Sequence, residues 1–120
     1  MITALDHVRL AAPPGTEDLL RAFCTDVLGM TEIPKPGVLA TRGGCWFQAG
    51  AVQIHGGTEK APGDFRPSAK AHPGLRVTAI AARPEAHGTD VTWDDDLPGH
   101  DRFHAHDPVG NRLEFLEPRV

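Results

Sequence analysis

Residues 102–118 read RFHAHDPVGNRLEFLEP and carry the clearest structural signal in the chain. Apolar and polar residues alternate on both sides of a central turn, as they do in a half-buried β-strand. The turn, Asp107-Pro108-Val109-Gly110-Asn111, combines residue types that favour chain reversal. The pattern therefore predicts a β-hairpin over about residues 101–117, with Leu113 and Phe115 on one face of the second strand and Glu114 on the other.

The order of elements that leads into this hairpin occurs twice along the chain. The second half predicts, in order, a strand (about 72–78), a short helix (about 79–87), a strand (about 90–94) and the hairpin. The first half predicts the same series, a strand (about 4–11), a helix (about 16–28), a strand (about 31–33) and a hairpin (about 43–56). The sequence therefore indicates a faint internal duplication.

Four polar side chains occupy matching positions in the two halves: His7, Gln53, His72 and Glu114. Each lies in a predicted strand next to apolar residues, so the apolar side chains can cover helices while the polar ones face a common hollow. Two imidazoles, a carboxylate and an amide or third imidazole suit a divalent metal ion. Gln53 and His55 share a face of their strand, and either could be the fourth ligand.

A structural interpretation of these residues stays open beside the metal one. Each histidine could be half-buried and hydrogen-bonded to the backbone, and Glu114 could be a solvated charge paired with Arg112. The matched placement of the histidines, together with the apolar neighbours of Glu114, favours ligation.

Other side chains on the same faces are candidates for contact with a substrate. Arg9 and Arg76 each share a face with one of the two histidines, and a guanidinium suits a carboxylate or phosphate, although a rim position in water is the alternative. We expect Trp46 to face the hollow and stack on a substrate. For His104 we expect a structural or substrate-contacting role.

Composition limits the class of protein. The chain has 120 residues, 40% of them hydrophobic, which is enough for one domain with a core. The net charge of −4 gives no basic footprint for nucleic acid, and no apolar run is long enough to cross a membrane. Cys24 and Cys45 read as buried thiols, which, with the absence of a signal-peptide pattern, predicts a cytoplasmic protein.

Five segments together carry a resemblance to a known superfamily: LDHVRLAAPPG (5–15), RAFCTDVLGM (21–30), GGCWFQAGAVQIHGG (43–57), FRPSAKAHPGL (65–75) and RFHAHDPVGNRLEFLEP (102–118). In these segments the chain resembles the vicinal oxygen chelate superfamily, which includes glyoxalase I, fosfomycin-resistance proteins, extradiol dioxygenases, methylmalonyl-CoA epimerase and bleomycin-resistance proteins. The resemblance covers nearly the whole chain. Its most specific part is the closing motif D-P-x-G-N-x-x-E, which ends at Glu114.

The resemblance implies an α+β fold in which two βαβββ modules form a curled mixed-sheet cup. One glyoxalase-like domain would span 1–120, with module one at about 1–57, a connector at about 58–70 and module two at about 71–120. The implied metal ligands come from the first and fourth strands, the start of the fifth and the eighth: His7, Gln53, His72 and Glu114. The fosfomycin-resistance branch uses only three of these positions, His7, His72 and Glu114.

The resemblance also implies a function, a metal-dependent enzyme acting on a small oxygen-rich substrate. One zinc, nickel, manganese or iron ion would serve a lyase, isomerase or dioxygenase reaction of the lactoylglutathione lyase type, with Glu114 as catalytic residue, binding the metal or shuttling a proton. At two positions the chain departs from the superfamily pattern, and these departures narrow the implied function. Gln53 cannot take a proton, which argues against a two-carboxylate isomerase, and Arg9 stands where the fosfomycin branch has threonine.

Two alternatives to an enzyme remain open at this point. One is a non-catalytic drug-binding or metabolite-binding protein of the bleomycin-resistance type, and the other is a structural or regulatory module that keeps the ligand residues. We expect a homodimer, since the superfamily forms its cups by pairing modules within one chain or between two chains.

Overall fold

The computed structural model describes residues 1–59, 65–80 and 88–120. Its internal contacts divide the chain into two units, Met1–Phe65 and Arg66–Val120. The division falls inside the predicted connector, of which residues 60–64 lie outside the described residues. No helix in the described ranges is both long enough and apolar enough to cross a membrane.

The first unit is one four-stranded sheet with a helix. Its elements are β1 (Val8–Ala12), α1 (Glu17–Ala22), a π-helical turn (Phe23–Val27), β2 (Thr31–Ile33), β3 (Cys45–Ala49) and β4 (Val52–Thr58). The strands lie in the order β1-β4-β3-β2. β1 runs parallel to β4, and the other neighbours are antiparallel, so the sheet is mixed.

The second unit repeats that topology. Its strands are β5 (Gly74–Arg76), β6 (Thr92–Trp93), β7 (His100–His106) and β8 (Arg112–Pro118), in the order β5-β8-β7-β6 with β5 parallel to β8. The repeated strand order and the α+β fold of two mixed sheets are therefore confirmed. Residues 81–87, which make up most of the predicted second helix, lie outside the described residues.

The predicted helix over 16–28 changes its hydrogen bonding part-way. α1 ends at Ala22, and Leu28 N–H then donates to the carbonyl of Phe23, five residues back, at 3.0 Å. The hydroxyl of Thr25 donates to the carbonyl of Arg21 at 2.6 Å, and so competes with the backbone N–H that an α-helix would place there. The apolar stripe survives this change, since Leu20, Phe23 and Cys24 are all buried.

The helix packs on the apolar face of the first sheet. Phe47 and Ile54 on that face are almost completely buried, as the alternation along β3 and β4 predicts. Gly56 permits the close approach of helix and sheet, because a Cβ at this position would lie 2.9 Å from the Leu20 side chain. The opposite face, with Gln53 and His55, is thereby left to polar chemistry.

Two of the four matched polar residues lie just before a strand, and in this detail the strand predictions were too long. β1 begins one residue after His7, and β5 begins two residues after His72. The physical reason at His72 is Pro73, which has no N–H to donate to a β-ladder. Its carbonyl still accepts a bond from Glu114 N–H at 3.1 Å, so the approach of His72 to β8 is maintained.

Candidate metal centre

Glu114 lies at the middle of β8, between two strands that bring polar groups to the same face. Its neighbours across the ladders are His104 on β7 and Gly74 on β5. Ladder partners present their side chains to the same side of a sheet. Gly74 leaves the carboxylate room, since a Cβ there would lie 3.2 Å from Glu114 Oε2.

Two imidazoles converge on one oxygen of this carboxylate. His72 Nε2 lies 3.4 Å and His104 Nε2 lies 3.3 Å from Glu114 Oε1. The three potential ligand atoms all lie within 4.8 Å of one another. The side chains of His72, His104 and Glu114 are 25%, 11% and 13% exposed, so the cluster is shielded but open on the His72 side.

The hydrogen bond at the far side of His72 fixes its tautomer. His72 Nδ1 lies 2.6 Å from the carbonyl oxygen of Lys70, which can only accept, so Nδ1 carries the proton. In the neutral ring, Nε2 therefore carries the lone pair, and that lone pair is directed at the carboxylate. This is the arrangement found in metal-binding histidines, in which a backbone carbonyl holds the ring by its other nitrogen.

His104 is held neutral by its surroundings. Burial lowers the pKa of His104, the charge of Arg112 lowers it further, and Glu114 opposes the shift. A neutral imidazole keeps one lone pair available near pH 7.

Arg102 joins the same carboxylate to a second acidic residue. Its guanidinium lies 3.2 Å from Glu114 Oε1 and 2.9 Å from Asp94 Oδ1. The hydrogen bond from Arg102 lowers the pKa of Asp94. Arg102 Nε is buried without a partner in the described part of the chain, so the two ion pairs set the position of this side chain.

The first unit presents a different arrangement, a stack of three rings. His55 stacks on Trp46 at 3.8 Å between ring centres and on His7 at 4.0 Å, with interplanar angles of 2° and 15°. Trp46 is the ladder partner of His55, which explains the first contact. Trp46 thus lies on the polar face and Phe47 in the core, as alternation predicts.

The two histidines of this stack use their nitrogens differently. His7 Nδ1 lies 2.9 Å from Asp6 Oδ2, so the ring is held through this nitrogen and Nε2 is the one that can meet another partner. His55 Nε2 lies 2.9 Å from Gln53 Oε1 and must donate to it, because an amide oxygen only accepts. Burial lowers the pKa of His55, and the neighbouring His7 lowers it further, against the effect of Asp6.

The two arginines that we expected to contact a substrate differ in their partners. Arg9 lies over Gly57, where a Cβ would collide with its guanidinium, and donates to Glu59 Oε1 at 2.7 Å. Arg76 is exposed, and its ladder partner Leu116 places it on the face of Glu114. Both arginines are exposed, but Arg9 already has a carboxylate partner in Glu59.

Comparison with known proteins identifies the family. No protein-family model and no curated protein matches the chain. Among solved structures, a protein of Bacillus anthracis described as a glyoxalase family member is 43% identical, with a TM-score of 0.92 over 99% of this chain and 98% of that one. The chain belongs to the glyoxalase family.

More distant structures share the fold of this glyoxalase family chain. A lactoylglutathione lyase of Agrobacterium tumefaciens is 21% identical, with a TM-score of 0.71 over 97% of this chain and 94% of that one. The fosfomycin resistance protein FosX of Listeria monocytogenes is 15% identical, in a variant complexed with Mn(II) and 1S,2S-dihydroxypropylphosphonic acid. That match has a TM-score of 0.76 and covers 100% of this chain and 95% of that one. These neighbours belong to the vicinal oxygen chelate superfamily.

Within this glyoxalase family chain, the predicted site residues fall into two groups. The second unit brings together His72, Glu114 and His104. The first unit brings together His7, Gln53, His55 and Trp46. Arg102 and Asp94 were missed, although alternation along β7 puts Arg102 and His104 on one face, and that signal was in the sequence.

Proposed function

We propose that this chain is a glyoxalase-like enzyme that uses one divalent metal ion and acts on a small oxygen-rich substrate. The observation that carries the proposal is the convergence of His72 Nε2 and His104 Nε2 on Glu114 Oε1 at 3.4 and 3.3 Å. The resemblance adds His7 and Gln53 as further predicted ligands. Zinc, nickel, manganese and iron all accept imidazole and carboxylate ligands.

The spacing of these atoms supports the metal proposal. Two ligand atoms that lie about 2.1 Å from one ion at a tetrahedral angle are separated by roughly 3.4 Å. In the neutral ring, His72 Nε2 is an acceptor, because the other nitrogen carries the proton, and Glu114 Oε1 is also an acceptor. Two acceptors that face each other at 3.4 Å need a cation or a proton between them.

The chemistry follows from what each residue holds or moves. A divalent ion in this cluster would act as a Lewis acid on a substrate oxygen. Arg102 donates to Glu114 Oε1, so we assign proton transfer to Oε2, on the side of Gly74. The exposed guanidinium of Arg76 on the same face supports a substrate that carries oxygen-rich or anionic groups.

We also propose that the protein works as a homodimer. Ile2 and Leu5, before β1, are 95% and 77% exposed, and burial of such side chains against a second copy is favourable. Light scattering on the purified protein tests this directly. A single peak at the dimer mass is expected, and a monomer at micromolar concentration contradicts it.

The experiment for the function compares three proteins: wild type, Glu114→Gln and, as a matched control on the same face, His106→Gln. Each is stripped with chelator and loaded in turn with Mn²⁺, Ni²⁺, Zn²⁺ and Fe²⁺. Bound metal is then measured, and turnover is followed on hemithioacetals, 2-hydroxyketones and catechols, which represent the lyase, isomerase and dioxygenase reactions. We expect stoichiometric metal and metal-dependent turnover in wild type and control, and loss of both in Glu114→Gln.

Wild type that binds no metal and shows no turnover would favour the alternative, a binding protein of the bleomycin-resistance type. In that case a small molecule raises the melting temperature equally with and without chelator. The triple substitution of His7, His72 and Glu114 by alanine would then leave binding intact. That outcome would exclude the metal-dependent enzyme.

A further inference from the structure

His55 lies at the centre of the ring stack in the first unit and contacts both residues that the resemblance implies as ligands there. Its ring face lies against His7, with 4.0 Å between the ring centres, and its edge donates a hydrogen bond to Gln53. Trp46 covers the opposite ring face at 3.8 Å. With only 7% of its surface exposed, His55 is fixed from three sides.

The direction of the hydrogen bond distinguishes a ligand from its support. His55 Nε2 carries a proton that it donates to Gln53 Oε1, so this nitrogen has no lone pair to offer a metal ion. Gln53 Oε1 accepts one bond and keeps a second lone pair. In His7, by contrast, Nδ1 is directed at Asp6 and Nε2 keeps its lone pair.

We propose that His55 is a positioning residue, which orients Gln53 through its Nε2–H and His7 through ring stacking. This inference rests on the proposed function, since it takes His7 and Gln53 as ligands. Residues that orient a ligand in this way affect metal affinity by about 10- to 100-fold when they are replaced. Trp46 then supports the stack from behind, in place of the substrate contact that we expected.

Two substitutions separate the two contacts. His55→Phe keeps a planar ring between Trp46 and His7 but cannot donate to Gln53. His55→Gln keeps an N–H donor but removes the ring. His100→Phe is the matched control, because His100 lies in the second unit, where its Nδ1 contacts the carbonyl of Pro98.

Mn²⁺ and Ni²⁺ affinities are measured by calorimetry on chelator-stripped proteins, with thermal unfolding as a check on the fold. We expect both His55 variants to lose about tenfold in affinity while His100→Phe equals wild type. If wild type binds metal and His55→Phe binds it with the same affinity, the inference about His55 is overturned while the proposed function stands. Absence of metal binding by wild type overturns the proposed function and this inference with it.

A second measurement does not depend on metal or on any variant. Two-bond ¹H–¹⁵N spectra of the metal-free wild type report which nitrogen of each histidine is protonated. We expect His55 to be protonated on Nε2 and His7 on Nδ1. Protonation of His55 on Nδ1 would overturn the inference whatever the affinities show.

Discussion

His104 is the ladder partner of Glu114 across β7 and β8, and its Nε2 lies 3.3 Å from Glu114 Oε1. Because the two strands are held in register by the Asp107 turn, this approach is set by the hairpin itself. The ligand positions implied by the superfamily resemblance lie on the first, fourth, fifth and eighth strands, and His104 lies on the seventh. The chain therefore offers a third candidate ligand from within its second unit.

Replacement of His104 should weaken metal binding. In His104→Ala the cluster keeps His72 and Glu114 but loses one of its imidazoles, so we expect at least about a tenfold loss of Mn²⁺ or Ni²⁺ affinity, the lower limit for residues that only support a ligand. Calorimetric titration measures it. His106→Ala, two residues along the same face, serves as control, and equal affinities in the two variants would exclude His104 as a ligand.

Two glycines of the first unit should respond differently to alanine. Gly44 has a φ of 105°, and a Cβ there would collide with the backbone carbonyl of Gly56, so Gly44→Ala should lose more than about 2 kcal/mol of stability. At Gly57 the colliding group is the flexible end of Arg9, so Gly57→Ala should lose under about 1 kcal/mol while displacing the Arg9–Glu59 pair. Urea unfolding ranks the two, and the reverse order would contradict the packing described.

The buried carboxylate of Asp107 should be a major determinant of the hairpin. It accepts bonds from Val109 N–H at 3.0 Å and from the backbone and side-chain amides of Asn111, both at 2.8 Å. Asp107→Ala removes the acceptor of these three part-buried hydrogen bonds, and we expect a loss of about 3 kcal/mol in the free energy of unfolding. Asp95→Ala, on an exposed loop residue, should stay within about 0.5 kcal/mol. A similarly small loss for Asp107→Ala would contradict this role.

The thiol of Cys45 should make stability depend on alkaline pH. Burial raises the pKa of Cys45 to about 11, so the folded state retains a proton that the unfolded state releases near pH 9. The contribution is complete below pH 9 and is lost as the pH rises through about 11. Urea unfolding of Cys24→Ala from pH 8 to 11 should show a steeper loss than unfolding of the double variant Cys24→Ala/Cys45→Ala. Parallel curves would show that Cys45 is not protected.

The sequence was sufficient for the elements whose signal is local. The Asp107 turn, the alternation in β3, β4 and β8, and the repeated order of elements all depend on neighbouring residues, and each agrees with the structure. The placement of Gln53 and His55 on one face also followed from alternation within one strand, and in the structure the two side chains are hydrogen-bonded.

Two features could not be predicted from neighbouring residues. They depend on which strands pair and on how the backbone hydrogen bonds are arranged. The approach of His104 and Arg102 to Glu114 requires the β7–β8 register, which single-strand alternation does not supply. The π-helical turn after Ala22 coincides with a hydrogen bond from the Thr25 hydroxyl to the carbonyl of Arg21, whereas the apolar periodicity alone predicts a continuous helix.

The most direct test of the account is an anomalous-scattering map of crystals grown with Mn²⁺. We expect one peak that lies about 2.0–2.2 Å from His72 Nε2, His104 Nε2 and Glu114 Oε1. A map with no peak at these three atoms, with Glu114 still paired to Arg102, would contradict the claim that this cluster binds a metal ion.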